Sequence, residues 1–235
     1  MKLIIEEIEK SFDNKKVFKS ASFEFEKGKI YGLLGRNGAG KTTLFNCINK
    51  DLDIDKGSIY LVNDEDKKID GELDIGYVFA EPILPEFLTG YEFLKFYIDI
   101  NKNKIKDIRT INEYFEIIKI KEEDRHRLIK TYSHGMKNKL QMLCYIISRP
   151  KVILLDEPLT SFDVVVALEI KNLLKEIKED HILIFSTHIL QLATDLCDEI
   201  VVLHGGELEG IDSSELKNPD FENKIFNILK EEENV

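Results

Sequence analysis

The sequence predicts an α/β chain: a mostly parallel, helix-covered sheet with a helical segment inserted over residues 81–150. Three observations carry this. After Pro150, short apolar runs alternate with stretches of helical spacing, as expected where each buried strand needs a covering helix. Between residues 81 and 150, apolar residues recur at every third or fourth position and no convincing strand interrupts them. A glycine-rich stretch from Gly35 to Gly40 separates the apolar run Ile30–Leu34 from a helix-like segment at 41–49.

The elements follow in order. The first third reads as strands at 3–8, 17–25 and 30–34, with Lys27-Gly28 as a turn. Two more strands are expected at 58–62 and 74–78, separated by a charged loop at 63–70. Within the insertion, helices are expected at 88–98, 108–118, 122–129 and 135–148. Residues 152–156 form an apolar run ending in acid, the profile of a buried parallel strand. A helix at 163–178, a strand at 182–186, a helix at 189–196 and a strand at 199–203 come next, and a charged amphipathic helix is expected at 220–233.

A length of 235 residues fits one compact body with an inserted subdomain better than two independent domains. With 43% hydrophobic residues the chain can bury a substantial core, so disorder is excluded. The net charge of −11 argues against a broad nucleic-acid surface, because such surfaces neutralise phosphates with Lys and Arg. Cys47, Cys144 and Cys197 are widely spaced, with neither a zinc-ligand spacing nor a disulfide framework, and read as small buried hydrophobes in a reducing compartment. The start, MKLIIEEIEKSF, is acidic where a signal peptide would be apolar, and the longest apolar stretches fall far below the ~20 residues of a bilayer span. A soluble chain is expected.

Two segments carry chemistry. Gly35, Arg36, Asn37, Gly38, Ala39, Gly40, Lys41 and Thr42 fit G-x-x-x-x-G-K-[ST] between an expected strand and an expected helix. Glycines let the backbone wrap closely around phosphates, and the helix that follows adds its positive N-terminal end. Lys41 would reach the β- and γ-phosphates, the Thr42 hydroxyl would bind Mg²⁺, and Thr43 would support the α-phosphate side. Asp156, Glu157 and Pro158 follow the apolar run 152–155, which places carboxylates at the carboxyl edge of the sheet beside the phosphate loop. There Asp156 can hold the Mg²⁺ shell while Glu157 polarises a water for attack on the γ-phosphate of ATP.

A third segment, Tyr132-Ser133-His134-Gly135-Met136-Lys137, precedes a helix with Ser133 as a natural N-cap. It resembles the signature segment of ABC-type ATPases, usually Leu-Ser-Gly-Gly-Gln, with Ser133 and Gly135 retained. The resemblance spans nearly the whole chain in the family's order. It implies that Phe12 stacks on adenine, that Asp163 is the acid of the D-loop, and that His188 is the switch histidine reaching the γ-phosphate. At the Q-loop segment 75–82 the chain departs from the family: Ala80 stands where a Gln or Glu normally contacts Mg²⁺ and its water, with Glu81 one residue later.

The resemblance implies a P-loop NTPase core with a mostly parallel sheet (1–80 and 151–235), an antiparallel β subdomain and an inserted α-helical subdomain (81–150) that carries the signature. It also implies ATP and Mg²⁺ as ligands, and a second cassette, as homodimer or heterodimer, whose site Ser133 and Gly135 complete. The expected partner is a transmembrane permease subunit on a separate chain, docked near the Ala80 loop and helix 88–98. The expected location is cytoplasmic, at the inner face of the cell membrane. The signature form and the short carboxyl tail are similar to export-type ATPases for peptides, drugs or lipids. The rival is a soluble ABC ATPase acting on ribosomes or DNA. Ribosome-acting members normally carry two cassettes, the heptads of DNA-acting members are missing, and the acidic charge counts against both.

Overall fold

The computed structural model describes residues 1–13, 15–71, 73–105, 109–158, 164–211 and 221–230. The chain divides into two compact units: 1–77, 151–156 and 178–235 form the first, and 78–150 with 157–177 form the second.

Two sheets build the first unit. Strands β1 (Lys2–Phe12), β2 (Lys15–Glu26) and β4 (Lys56–Val62) form an antiparallel sheet in the order β2-β1-β4. The other sheet contains β3 (Ile30–Leu34), β5 (Ile75–Val78), β6 (Val152–Leu155), β7 (Ile182–Thr187), β8 (Glu199–His204) and β9 (Glu207–Ile211), in the order β5-β6-β7-β3-β8-β9. β6, β7, β3 and β8 run parallel. Every residue of β3, β6 and β7 is buried, as unbroken apolar runs in a covered parallel sheet require. Helices α1 (Lys41–Ile48), α7 (Leu190–Leu196) and α8 (Phe221–Lys230) belong to this unit. Phe221 and Ile225 of α8 join Leu34, Ile200, Val202 and Ile211 in one apolar cluster, so the closing helix earns its place by packing.

The sequence reading misses β9. It pairs antiparallel with β8 across Gly205-Gly206, both at positive φ. A Gly-Gly pair between two β-like runs is a hairpin signal.

In the second unit lie α2 (Gly90–Asn101), α3 (Ile111–Ile117), α4 (Glu122–Arg125), α5 (His134–Ser148) and α6 (Val164–Ile177). Its core gathers Leu94, Phe115, Ile129, Leu140, Leu143 and Ile147, all at 3% exposure or less. Both α2 and α3 open with capping boxes, Thr89–Glu92 and Thr110–Glu113. The helix expected at 122–129 is a correction: α4 ends after four residues, and a separate 3-10 turn covers Ile129–Thr131. The backbone between them bonds the segment at 88–90 instead. The Gly90 N–H donates to the Arg127 carbonyl at 3.3 Å, and the Ile129 N–H donates to the Leu88 carbonyl at 2.8 Å. With those groups committed, a continuous helix cannot form.

Candidate active site

Because β3, β6 and β7 are parallel, their carboxyl ends open on one edge of the sheet. The glycine-rich loop leaves β3 at that edge, Asp156 leaves β6, and His188 leaves β7.

The loop turns into α1 through Gly40, at φ 110°, in the left-handed region. A Cβ there would meet Val17 Cγ1 at 2.6 Å, so glycine is required twice over, by conformation and by space. No acidic residue lies in the first turn of α1, which leaves the positive end of the helix uncountered. Lys41 is only 6% exposed, and its ammonium donates to the carbonyls of Gly35 at 2.8 Å and Arg36 at 3.2 Å. It therefore lies over the loop that its own backbone begins to leave. Arg36, Asn37 and Gly38 are exposed, and Thr43 is half-buried in α1.

Asp156 is buried, and three hydroxyls converge on its carboxylate. Thr42 Oγ1 donates to Oδ2 at 2.8 Å, across 114 residues of chain. Ser186 Oγ donates to Oδ1 at 2.6 Å, and the Tyr77 hydroxyl donates to Oδ2 at 3.3 Å. Burial, and then the Asp156 carboxylate, push the Tyr77 phenol well above its ordinary value, so it remains a donor. The sequence reading singled out neither Tyr77 nor Ser186. The register that sets Leu155 beside Phe185 places Ser186 next to Asp156. A hydroxyl inside an apolar strand was the available signal for Ser186. Tyr77 could not be found that way, because the place of β5 beside β6 is a matter of tertiary order.

Glu157 follows Asp156 directly and is the first residue of its segment of the second unit. Its φ of 44° is left-handed, a conformation that costs a non-glycine residue about 1 kcal/mol or more and that collects at functional sites. His188 is exposed, and the turn after β7 is held by the Ile189 N–H donating to Thr187 Oγ1 at 3.0 Å. Phe12, at the end of β1, is 45% exposed, so it is not a core residue. The buried Lys10 ammonium lies 5.4 Å from its ring centroid and is itself held by the Asp53 carbonyl and by Asp55.

In the second unit Ser133 caps α5, accepting from the Met136 N–H at 3.2 Å, with Gly135 in the first turn. The first turn of α5 also lacks acidic residues. Tyr132 is buried and donates to the Asp124 carbonyl at 2.9 Å, which fixes the entry to the helix. Ala80 and Glu81 are exposed. Asp163 lies outside the described residues.

The structure thus brings Lys41, Thr42 and Asp156 together in the first unit, whereas Ser133 and Gly135 stand on α5 of the second. The oxygen donors Thr42 Oγ1 and Asp156 suit a hard cation such as Mg²⁺. No group of three or more His, Cys, Asp or Glu that could hold a metal ion occurs among the described residues. One carboxylate and one hydroxyl match the way Mg²⁺ is held with substrate phosphates rather than in a protein cage. Among the described residues, no helix is long and apolar enough to cross a membrane.

Comparison with known proteins gives the family from two directions and the fold from a third. The sequence model of the ABC transporter family matches residues 18–160, more than half of the chain. The uncharacterized ABC transporter ATP-binding protein YxlF of Bacillus subtilis is 34% identical over 209 residues, covering 88% of this chain and 69% of that protein. A second B. subtilis protein described in the same words, YhcH, is 30% identical, covering 96% of this chain and 75% of its own length. Among solved structures, an ATP binding subunit of an ABC transporter superposes with a TM-score of 0.76 at 22% identity, covering 97% of this chain and 95% of that one. CbiO1 from Clostridium perfringens, part of the ABC transporter complex cbiONQ, superposes with a TM-score of 0.75 at 24% identity, covering 96% and 94%. At these identities the structures show the fold, an ABC ATPase α/β fold with a P-loop core. The family match and the sequence relatives show the rest: the chain belongs to the ABC transporter family, as an ATP-binding subunit.

Proposed function

We propose that this chain binds ATP with Mg²⁺, hydrolyses it, and so powers a separate membrane subunit that exports a peptide, drug or lipid. One observation carries the hydrolytic part: the exposed Thr42 at the start of α1 and the buried Asp156 at the end of β6 meet at 2.8 Å. Mg²⁺ held there by Thr42 and Asp156 would neutralise charge on the ATP phosphates.

The remaining roles belong to the chain's own groups. The N–H groups of 35–40 and the open end of α1 bind phosphate oxygens, and Lys41 supplies a cation to the β- and γ-phosphates. Thr43 supports the α-phosphate, and Phe12 offers its exposed ring to adenine. Glu157 orients the attacking water, and His188 reaches the γ-phosphate from the end of β7. Ser133, Gly135 and the uncountered start of α5 complete the site of a second cassette, and Asp163 serves as the acid of the D-loop. Residues 1–80 with 151–235 act as the nucleotide core, and 81–150 as the helical subdomain.

The membrane partner docks on the helical subdomain near Ala80 and α2, where Ile83, Phe87, Phe96 and Ile100 are exposed. This docking puts the chain at the cytoplasmic face of the membrane. Export rests on the form of the Tyr132–Lys137 signature segment. The test is reconstitution with polytopic membrane proteins encoded in the neighbouring reading frames. The proposal expects binding and a changed ATPase rate; neither binding nor a changed rate would overturn the transporter reading.

A further inference from the structure

Thr42 and Ser186 reach Asp156 from elements that already build the sheet edge. Tyr77 reaches it from β5, the outermost strand on that side. Its ring is 4% exposed and is set edge-on against Phe45 of α1, with centroids 5.9 Å apart. The side chain is therefore fixed by packing, and its hydroxyl is aimed rather than free to rotate away. Tyr77 and Asp156 are also each the last residue of their segments before the chain crosses into the second unit.

We infer that Tyr77 is a positioning residue for the metal-binding carboxylate, and that its hydroxyl sets the orientation in which Asp156 is presented to Mg²⁺. The inference rests on the proposed Mg²⁺–ATP site. The chemistry is that of an outer-shell donor. Oδ2 accepts from both Thr42 and Tyr77 while Oδ1 accepts from Ser186, so the carboxylate plane is pinned on both sides. Removing one pin lets the carboxylate rotate, and groups in such positions commonly account for about tenfold or more of metal affinity.

Tyr77→Phe keeps the ring and its contact with Phe45 while deleting the hydroxyl. In a Glu157→Gln background, Mn²⁺ binding to the ATP-loaded protein is followed by electron paramagnetic resonance. ATP binding in excess chelator is followed separately with a fluorescent analogue. The expected result is Mn²⁺ binding weakened about tenfold by Tyr77→Phe, with metal-free nucleotide binding unchanged. Equal Mn²⁺ affinity in both proteins overturns the inference, as does a parallel loss of metal-free nucleotide binding, which would make Tyr77 a general support of the fold. Absence of any ATP-dependent Mn²⁺ binding in the Glu157→Gln protein itself would instead contradict the Mg²⁺–ATP site on which the inference stands.

Discussion

At the residue scale the account rests on a few side chains whose removal has separable effects. Lys41→Ala should weaken ATP binding by about tenfold or more, seen by fluorescence titration, because it removes the cation that the Gly35 and Arg36 carbonyls hold at the proposed phosphate loop. Gly40→Ala should lower stability by about 1–3 kcal/mol in urea unfolding, since alanine disfavours φ near 110° and its methyl meets Val17. Much of this site was legible in the sequence, because the phosphate loop and the Asp156-Glu157 pair are local patterns with a strand before them. What was not legible is lateral. That Asp156 is shared by Thr42, Tyr77 and Ser186 depends on strand order, and local pattern carries no lateral order. Likewise the left-handed backbone of Glu157 has no sequence mark, since neither glycine nor asparagine stands there.

At the element scale, helix ends decide how the second unit presents Ser133. Ser133→Ala removes the N-cap of α5 and should cost about 1 kcal/mol in unfolding experiments. Gly90 lies beneath the signature segment: a Cβ there would be 2.0 Å from the Tyr132 hydroxyl. Gly90→Ala should therefore displace Tyr132 and reduce stability, while Tyr132→Phe in the same chain should partly restore it. The two capping boxes give a pH dependence. Glu92 and Glu113 accept from the backbone N–H, and then the hydroxyl, of Thr89 and Thr110, and both carboxyls are held below their ordinary 4.5. A lowered folded-state value means the contribution is complete above about pH 4.5 and fades as pH falls below it. The double variant Thr89→Ala with Thr110→Ala should lose stability at neutral pH and show a shallower decline on acidification, measured by urea unfolding across pH. Apolar spacing alone sets these helix starts at 88 and 108, ahead of the observed Gly90 and Ile111, although Thr-x-x-Glu is a sequence signature of the true starts. The early end of α4 was not, because long-range backbone bonds to 88–90 override a helical pattern.

At the scale of the whole molecule, the mostly parallel sheet and the helical segment were both visible as a change of period near residues 81 and 150. The hairpin β8–β9 has a Gly-Gly turn, but β9 alternates with glutamates and lacks the unbroken apolar run that marks the buried strands. If α5 completes the site of a second cassette, Glu157→Gln with ATP and Mg²⁺ should double its mass in light scattering and revert on nucleotide removal. A persistent monomer would count against that pairing. Central to all of this is the claim that Lys41, Thr42, Asp156 and Glu157 form a hydrolytic site. The direct measurement is phosphate release from Mg²⁺–ATP by the wild type and by Glu157→Gln at matched ATP occupancy. The account predicts steady release by the wild type and a rate lower by about a hundredfold or more in the variant. Equal rates in the two proteins, or no release by the wild type, would contradict it.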